Sequence, residues 1–444
     1  MYQVENLNNQ YRRLVAKRKI KQGEIIIEKE PLFYSVLSNQ RKNFCNYCLK
    51  ASSSLSRCTA CNVLHYCDKN CQVQDWKQHK LECKAYKAIK AKNFNITIDF
   101  HILMRIYKTQ NSLTNFLSNG DDFPIEKQQF FTEQALMLLK SLEEEVIPEK
   151  MEFLISAQAK FATNALTIQD SLFETDGIGA GLYEEVNYMN HSCTPNVICV
   201  FNKLPQVRVI AIRDIEQGEE IMNSYIDTKK DLDFRRRFLK QNYFFLCECK
   251  RCIKEQNEGV SFVRCQKCMK GRINSKTLNC SDCNTQGQMT EQEYQRIITQ
   301  MEEIQKQTSQ STYEKTIELT ETAEKLCHLE APYFNDIYNS RILATLGVQQ
   351  YKKANKYLKN FIELSKHWYE EIIGNTLEMP FFGWKLNELS KLNFHLDKCL
   401  EAEKYSERAL KILTQYYTKE SCPELNELFL RLNDIKSEIK MKYN

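Results

Sequence analysis

The sequence predicts an α+β protein of several domains, on three observations: short runs of β-branched residues early and in mid-chain, two dense cysteine clusters, and helical periodicity over the last third. A chain of 444 residues exceeds what one core ordinarily organises, so two or three domains are expected, and an apolar fraction of 42% is enough to fill them. No apolar run approaches a membrane span, and the start, MYQVENLNNQ, lacks the charged-then-apolar pattern of a secretory signal. The expected location is cytoplasm and nucleus. Thiols stay reduced there, so nineteen cysteines in clusters point to metal rather than to a disulfide framework.

Residues 1–44 read as β-rich, because LVAKRKI and GEIIIEKEPLFYSV carry branched residues and Gly23 marks a turn before the second strand. Residues 45–83 follow the spacing C-x2-C-x9-C-x2-C-x5-C-x3-C-x7-H-x3-C, eight possible ligands in 39 residues. Residues 84–165 return to helical patterns such as EQALMLLKSLEEEV. Residues 166–228 break into short branched strands between turn residues, and residues 229–283 hold a charged helix, DLDFRRRFLKQ, and the second cysteine cluster. Residues 284–444 are helical: Leu389, Leu392, Leu396 and Leu400 recur every three or four positions, and Tyr405, Ala409 and Leu413 continue an apolar stripe on the next helix. Ala402 and Ala409 stand where helical-hairpin repeats of the tetratricopeptide (TPR) kind want small residues; a generic bundle is the alternative, since no strict period of about 34 residues is visible.

In the first cluster, Cys67 with Cys71 and His79 with Cys83 are each four apart on a predicted helix, so each pair presents two ligands on one face. The knuckles Cys45/Cys48 and Cys58/Cys61 supply the other halves. Interleaved pairing gives two zinc sites, Cys45/Cys48/Cys67/Cys71 and Cys58/Cys61/His79/Cys83, which would hold together a segment with little core of its own. His65 belongs to no pair and reads as a packing or surface residue. The second cluster holds seven cysteines, of which Cys265, Cys268, Cys280 and Cys283 complete a zinc-ribbon pattern. Cys247, Cys249 and Cys252 then lack a fourth ligand. Cys193 is the leading candidate, with His191 and Cys199 as rivals. Cys199, Cys327, Cys399 and Cys422 otherwise read as small buried residues.

About four zinc ions change the charge. Fifteen ligating thiolates and four divalent ions take the formal +5 of the apo chain to −2, which removes the electrostatic case for nucleic-acid binding. Arg235, Arg236 and Arg237 read as a solvated helix face. In NYMNHSCTPN, adjacency argues against a His191–Cys193 catalytic pair, because neighbours in an extended chain point to opposite faces.

These residues resemble the lysine methyltransferases with SET and MYND domains, the SMYD family. The first cluster, ending DWKQHKLEC, resembles a MYND finger inserted in a SET domain; GAGLYEEVNYMNHSCTPN, GEEIMNSYID and YFFLCECKRC resemble the NHSC segment, the tyrosine-bearing strand and the post-SET zinc segment. The resemblance implies a β-rich SET domain split by the finger and a helical insertion, a cysteine-rich post-SET segment and a TPR-like helical C-terminal domain. It also implies that Cys193 completes the post-SET zinc site, that Asn164, Asn190 and His191 contact S-adenosyl-L-methionine, and that Tyr225 is the catalytic tyrosine. Tyr243 and Phe245 would wall the lysine channel and the adenine face. Tyr11, Arg12 and Arg13 stand where the family carries a Gly-x-Gly turn, and Arg12 or Arg13 would meet the cofactor carboxylate.

Methyl transfer from a sulfonium is an in-line displacement, so the protein must align a neutral lysine amine with the methyl group, and no covalent intermediate on Cys193 is needed. Aromatic walls favour the uncharged amine and suit the cationic sulfonium. The expected function is therefore a protein-lysine N-methyltransferase acting on a histone or non-histone lysine, with proline-containing peptides as partners of the MYND finger. The alternative is a weak or inactive SET/MYND zinc scaffold that binds proteins.

Overall fold

Branched residues favour extended backbone, and three isoleucines in succession at positions 25–27 lie in one of the early strands. The computed structural model describes residues 1–8, 11–91, 96–111, 113–169, 177–283, 289–329, 331–332, 334–370, 379–419 and 422–443. Two units interleave along the chain: one comprises residues 1–190, 196–223 and 240–244, the other residues 191–195, 224–239 and 245–444.

In the first unit β1 (Tyr2–Asn8) and β2 (Tyr11–Ala16) pair antiparallel, with Glu5 opposite Arg13. The turn expected at Gly23 forms with φ +86° and leads into β3 (Ile25–Lys29), followed by β4 (Phe33–Val36). A short hairpin, β5 (Ser56–Arg57) and β6 (His65–Tyr66), precedes α1 (Lys69–Ala91), and α2 (Ile98–Thr109), α3 (Ile125–Ser141) and α4 (Pro148–Asn164) follow. The chain then returns to strands: β7 (Leu166–Ile168), β8 (Gly179–Leu182), β9 (Asn190–His191, whose first residue belongs to this unit), β10 (Val197–Lys203), β11 (Gln206–Ala211) and β12 (Met222–Asn223). Two three-stranded antiparallel sheets result, ordered β10-β11-β3 and β4-β8-β7. A Cβ on Gly179 would lie 2.5 Å from the Ser35 carbonyl oxygen, so this pairing of β8 with β4 needs glycine. Leu14, Val36, Ile178, Tyr183, Val209 and Ile221 fill the core beside these sheets.

Helices α2 to α4 share a second core with the cysteine-rich segment, in which Leu64, Tyr66 and Tyr86 pack with Phe100, Leu138, Leu139 and Phe161. A buried polar cluster runs through it. Arg105 donates to Glu82 at 2.7 Å, to Asp75 at 3.0 Å and to the Tyr34 carbonyl at 3.2 Å, while the Tyr66 hydroxyl donates to Asp75 at 2.7 Å. Burial opposes ionisation of Glu82, yet Arg105 and His101 hold its carboxyl well below the usual range. At Asp75 burial outweighs Arg105 and the carboxyl is raised. His101, driven down to about 3 by burial, bridges Glu82 and Ser35 as a neutral ring.

The second unit takes most of α5 (Leu232–Tyr243), then α6 (Lys250–Glu258), the hairpin of β13 (Ser261–Arg264) and β14 (Arg272–Asn274), and, among the described residues, seven further helices. These are α7 (Glu291–Thr308), α8 (Tyr313–Leu326), α9 (Phe334–Gly347), α10 (Tyr351–Trp368), α11 (Pro380–His395), α12 (Cys399–Leu413) and α13 (Pro423–Tyr443). Helix α7 opens with a reciprocal capping box between Thr290 and Glu293. Ala402 and Ala409 are fully buried, and the Ser390 and Ser406 hydroxyls meet at 2.5 Å where α11 packs on α12. The apolar stripe stops earlier than its spacing suggests. Helix α11 ends at His395, Leu396 caps it, and Leu400 falls on the solvent side of the next helix at 56% exposure.

Removing one member of a buried ion pair leaves an uncompensated charge and costs about 3–5 kcal/mol. Arg105→Met is therefore expected to lower the denaturant midpoint of the first unit strongly, whereas Lys84→Met, which removes an exposed pair with Glu143, leaves it unchanged. Equal midpoints for the two variants would contradict a structural role for the Arg105 cluster.

Candidate functional site: four cysteine centres and two aromatic and amide clusters

Four zinc-ligand sets converge in space, each with its ligand atoms within 4.8 Å of one another: Cys45/Cys48/Cys67/Cys71, Cys58/Cys61/His79/Cys83, Cys193/Cys247/Cys249/Cys252 and Cys265/Cys268/Cys280/Cys283. A tetrahedral zinc with Zn–S of about 2.3 Å places its sulfurs ~3.8 Å apart. The measured separations are 3.6 Å for Cys48–Cys67, 3.8 Å for Cys58–Cys83, 3.5 Å for Cys193–Cys252, 3.8 Å for Cys265–Cys283 and 3.7 Å for Cys268–Cys280. This spacing fits zinc and is far too long for disulfides.

In the first unit, Cys71, His79 and Cys83 lie on α1. Cys67 does not share that helix as its spacing suggests: α1 begins at Lys69, because the Asp68 carboxylate accepts from the Cys71 N–H at 2.8 Å and caps the first turn. His79 offers Nε2 at 3.6 Å from Cys61 Sγ and turns Nδ1 to the buried Glu82 carboxylate at 3.5 Å. A carboxylate behind a ligating histidine fixes the ring and raises its basicity. His65 stays in the β5–β6 hairpin, outside both sets.

In the second unit, Cys193 meets the Cys247–Cys252 segment, with Cys247 Sγ at 3.9 Å. His191, a rival for this place, instead accepts the Tyr225 N–H on Nδ1 at 3.0 Å, although its Nε2 lies 3.3 Å from Cys193 Sγ. Cys199, the other rival, is buried in β10 and receives the Asn223 amide at 3.4 Å. Arg235 is fully buried against this centre: Nε lies 3.3 Å from Cys193 Sγ, and Nη2 3.7 Å from Cys252 Sγ and 2.6 Å from Glu255. The expected solvated face of Arg235–Arg237 is thus corrected at Arg235, because a four-thiolate zinc centre carries net negative charge that a guanidinium offsets. Arg235 and Leu239, four apart on α5, both face inward. In the ribbon, Gly271 N–H donates to Cys268 Sγ at 3.2 Å, and a Cβ there would meet Cys280 Sγ at 2.3 Å.

Of the remaining thiols, Cys327, Cys399 and Cys422 are buried. Cys399 neighbours Asp397 and Glu438, and the Lys442 ammonium already fills that spot, 2.9 Å from Glu438 and 3.7 Å from Cys399.

The other predicted site residues fall into two clusters, one in each unit. In the first unit, Asn190 Nδ2 donates to the Arg12 carbonyl at 2.8 Å and to Glu220 at 2.7 Å, and the Arg12 guanidinium stacks 4.8 Å over the Tyr188 ring. Asn164 at the end of α4 donates to the Leu117 and Lys160 carbonyls, both at 2.7 Å, and its own carbonyl accepts from Asn187. Asn119 joins Thr163 to the Tyr243 carbonyl. Residues 11–13 form the extended start of β2, with Arg13 paired to Glu5 at 2.8 Å; the Tyr11 side chain lies outside the described residues. In the second unit, the His191 ring lies 5.4 Å from that of Tyr225 and 6.1 Å from that of Phe245. Burial brings His191 down to about 4, which keeps the ring neutral. No described helix is long and apolar enough to cross a membrane.

A family profile described as a SET domain matches residues 108–226, and one described as a MYND finger matches residues 45–83. Histone-lysine N-methyltransferase ASHR1 of Arabidopsis thaliana is 26% identical over 475 residues, covering 99% of this chain and 96% of ASHR1. Human histone-lysine N-methyltransferase SMYD3 is 31% identical over 260 residues, which cover 55% of this chain and 60% of SMYD3. Human N-lysine methyltransferase SMYD2 is 29% identical over 260 residues, 56% of this chain and 59% of SMYD2. The match thus spans about three-fifths of the length of the two human relatives. A finger of eight converging ligands set before a SET region that ends at Tyr225 and Ile226, together with these methyltransferase relatives, supports the SMYD family of SET and MYND domain proteins.

Proposed function

We propose that the chain is an S-adenosyl-L-methionine-dependent protein-lysine N-methyltransferase that holds four structural zinc ions. The observation that carries this reading is the His191–Tyr225 hydrogen bond at 3.0 Å, made two residues from a converged Cys193 centre. It ties the NHSC loop to the backbone of the tyrosine that the family uses for chemistry.

The residues present fit the cofactor. Asn164 and Asn190 commit their amide nitrogens to protein oxygens, and neither Oδ1 has a partner among the described residues, so each keeps a fixed acceptor for an ammonium group. Arg12 rests on the Tyr188 ring with no carboxylate partner among the described residues, and its guanidinium suits an anionic cofactor carboxylate. Residues 11–13 lie in a strand and are absent from the positive-φ positions. When bound, the cofactor supplies an electrophilic methyl group. The chain's own task is to align and desolvate a neutral lysine amine, with Tyr243 and Phe245 as walls and the Tyr225 hydroxyl as a polar contact. The MYND finger would take proline-containing peptides against α1, where Val73 and Trp76 are 55% and 42% exposed. The C-terminal helices would form a TPR-like array.

Elemental analysis is expected to give four zinc ions per chain, and three in Cys193→Ser. Arg235→Met should keep four but lose one to a chelator faster than the natural protein does. Four retained ions in Cys193→Ser would overturn the assignment of that ligand. Tritiated methyl incorporation into histones and whole-protein extracts should be measurable for the zinc-loaded chain and fall by about two orders of magnitude in Tyr225→Phe, the scale on which one transition-state polar contact acts. Equal rates would remove Tyr225 from the chemistry.

A further inference from the structure

Four and five residues beyond Tyr225 stand two lysines with different surroundings. Lys230 takes the acids: its Nζ lies 2.6 Å from Asp336 and 4.0 Å from Asp227. Lys229 has no carboxylate within ion-pair distance among the described residues, and its Nζ donates to Asn335 Oδ1 at 2.7 Å. Four rings face the ammonium instead, with centroids at 4.4 Å for Phe381, 5.3 Å for Tyr369, 5.9 Å for Phe361 and 6.0 Å for Trp368. Burial brings the lysine down to about 8, opposed by Asp227 and Asp336 and reinforced by Lys385 and Lys230. An ammonium carries three N–H donors, and Asn335 is its one hydrogen-bond acceptor among the described residues, so this half-buried cation keeps donors to spare.

Lys229 also lines a small, partly open hollow. Phe334, Phe361, Leu364 and Trp368 make an apolar wall, and Ser365 adds a hydroxyl with no hydrogen-bond partner among the described residues. One cation and one hydroxyl in an apolar cup match a carboxylate that carries an apolar group.

We infer that this cavity binds an amphipathic carboxylate, with the acid on Lys229 and the apolar part against Phe334, Phe361 and Trp368. At most ~14 Å of chain separates the Cα atoms of Tyr225 and Lys229. If the methyltransferase reading holds, on which this last step rests, the occupant is an acidic residue next to an apolar one in the protein substrate, a few residues from the lysine that is methylated. The cavity thereby selects acceptor sites by an acid–apolar pair.

The test titrates the zinc-loaded full chain calorimetrically with 3-phenylpropionate and with its neutral amide, 3-phenylpropionamide. The acid should bind at least about tenfold more tightly than the amide, as expected for a hydrogen bond to a charged group. Lys229→Met should abolish that preference and Lys229→Arg should retain it, with circular dichroism confirming that both are folded. Equal affinity for acid and amide, no binding of either, or a preference that survives Lys229→Met would overturn the proposal. The comparison of acid with amide on the natural chain stands even if a variant fails to fold. No methyl transfer is read, so failure here leaves the methyltransferase assignment standing, and an inactive enzyme leaves the cavity standing.

Discussion

The meeting of Cys193 with Cys247, Cys249 and Cys252 is the constraint on which the second unit depends. Cys193 and Cys247 are 54 residues apart in sequence, yet their sulfurs lie 3.9 Å apart at zinc-site spacing. Metal binding to such a set contributes directly to folding free energy, because the ligand geometry does not exist in the unfolded chain. The consequences are local and chemical. Arg235 is drawn inside to offset thiolate charge, and its Nη1 reaches the Lys230 carbonyl at 2.5 Å. That contact fixes the backbone beside Lys229, so the centre and the aromatic cavity are joined by a few bonds. His191 and Tyr225 are held together next to the same centre.

In the first unit a comparable role falls to Glu82. One carboxylate orients the zinc-ligand candidate His79, accepts from Arg105 and contacts His101. The finger therefore shares both a polar network and an apolar core with α2 to α4. Zinc alone does not hold it: Leu64, Tyr66 and Tyr86 are fully buried in that shared core. Loss of either the ion or the helices would expose the same cluster.

Much of this was legible in the chain. Cysteine spacing is a local property, so the knuckles and the i, i+4 pairs can be read directly, and an odd count of seven in the second cluster calls for a partner elsewhere. Branched runs and turn glycines likewise place β2, β3 and the turn at Gly23. What stayed hidden depends on distant parts of the chain. Arg235 looks solvated within RRR until the thiolates beside it are known. Cys67 looks helical until Asp68 caps α1. Leu400 continues a stripe until α11 ends at His395. Lys229, in the polar stretch DTKKDLD, gives no hint of its cage, because Phe361, Trp368, Tyr369 and Phe381 lie more than a hundred residues later.

We propose that this chain binds the methyl-donor cofactor with Tyr11, Arg12 and Arg13 in place of the Gly-x-Gly turn that the family resemblance implies there. Calorimetric titration of the zinc-loaded protein with S-adenosylhomocysteine tests it most directly, beside a Tyr11→Gly/Arg13→Gly variant. One saturable site on the natural chain, not improved by the two glycines, is the predicted result. No binding by the natural chain together with binding by the variant would contradict it, and would mark the protein as a degenerate methyltransferase that works by holding other proteins.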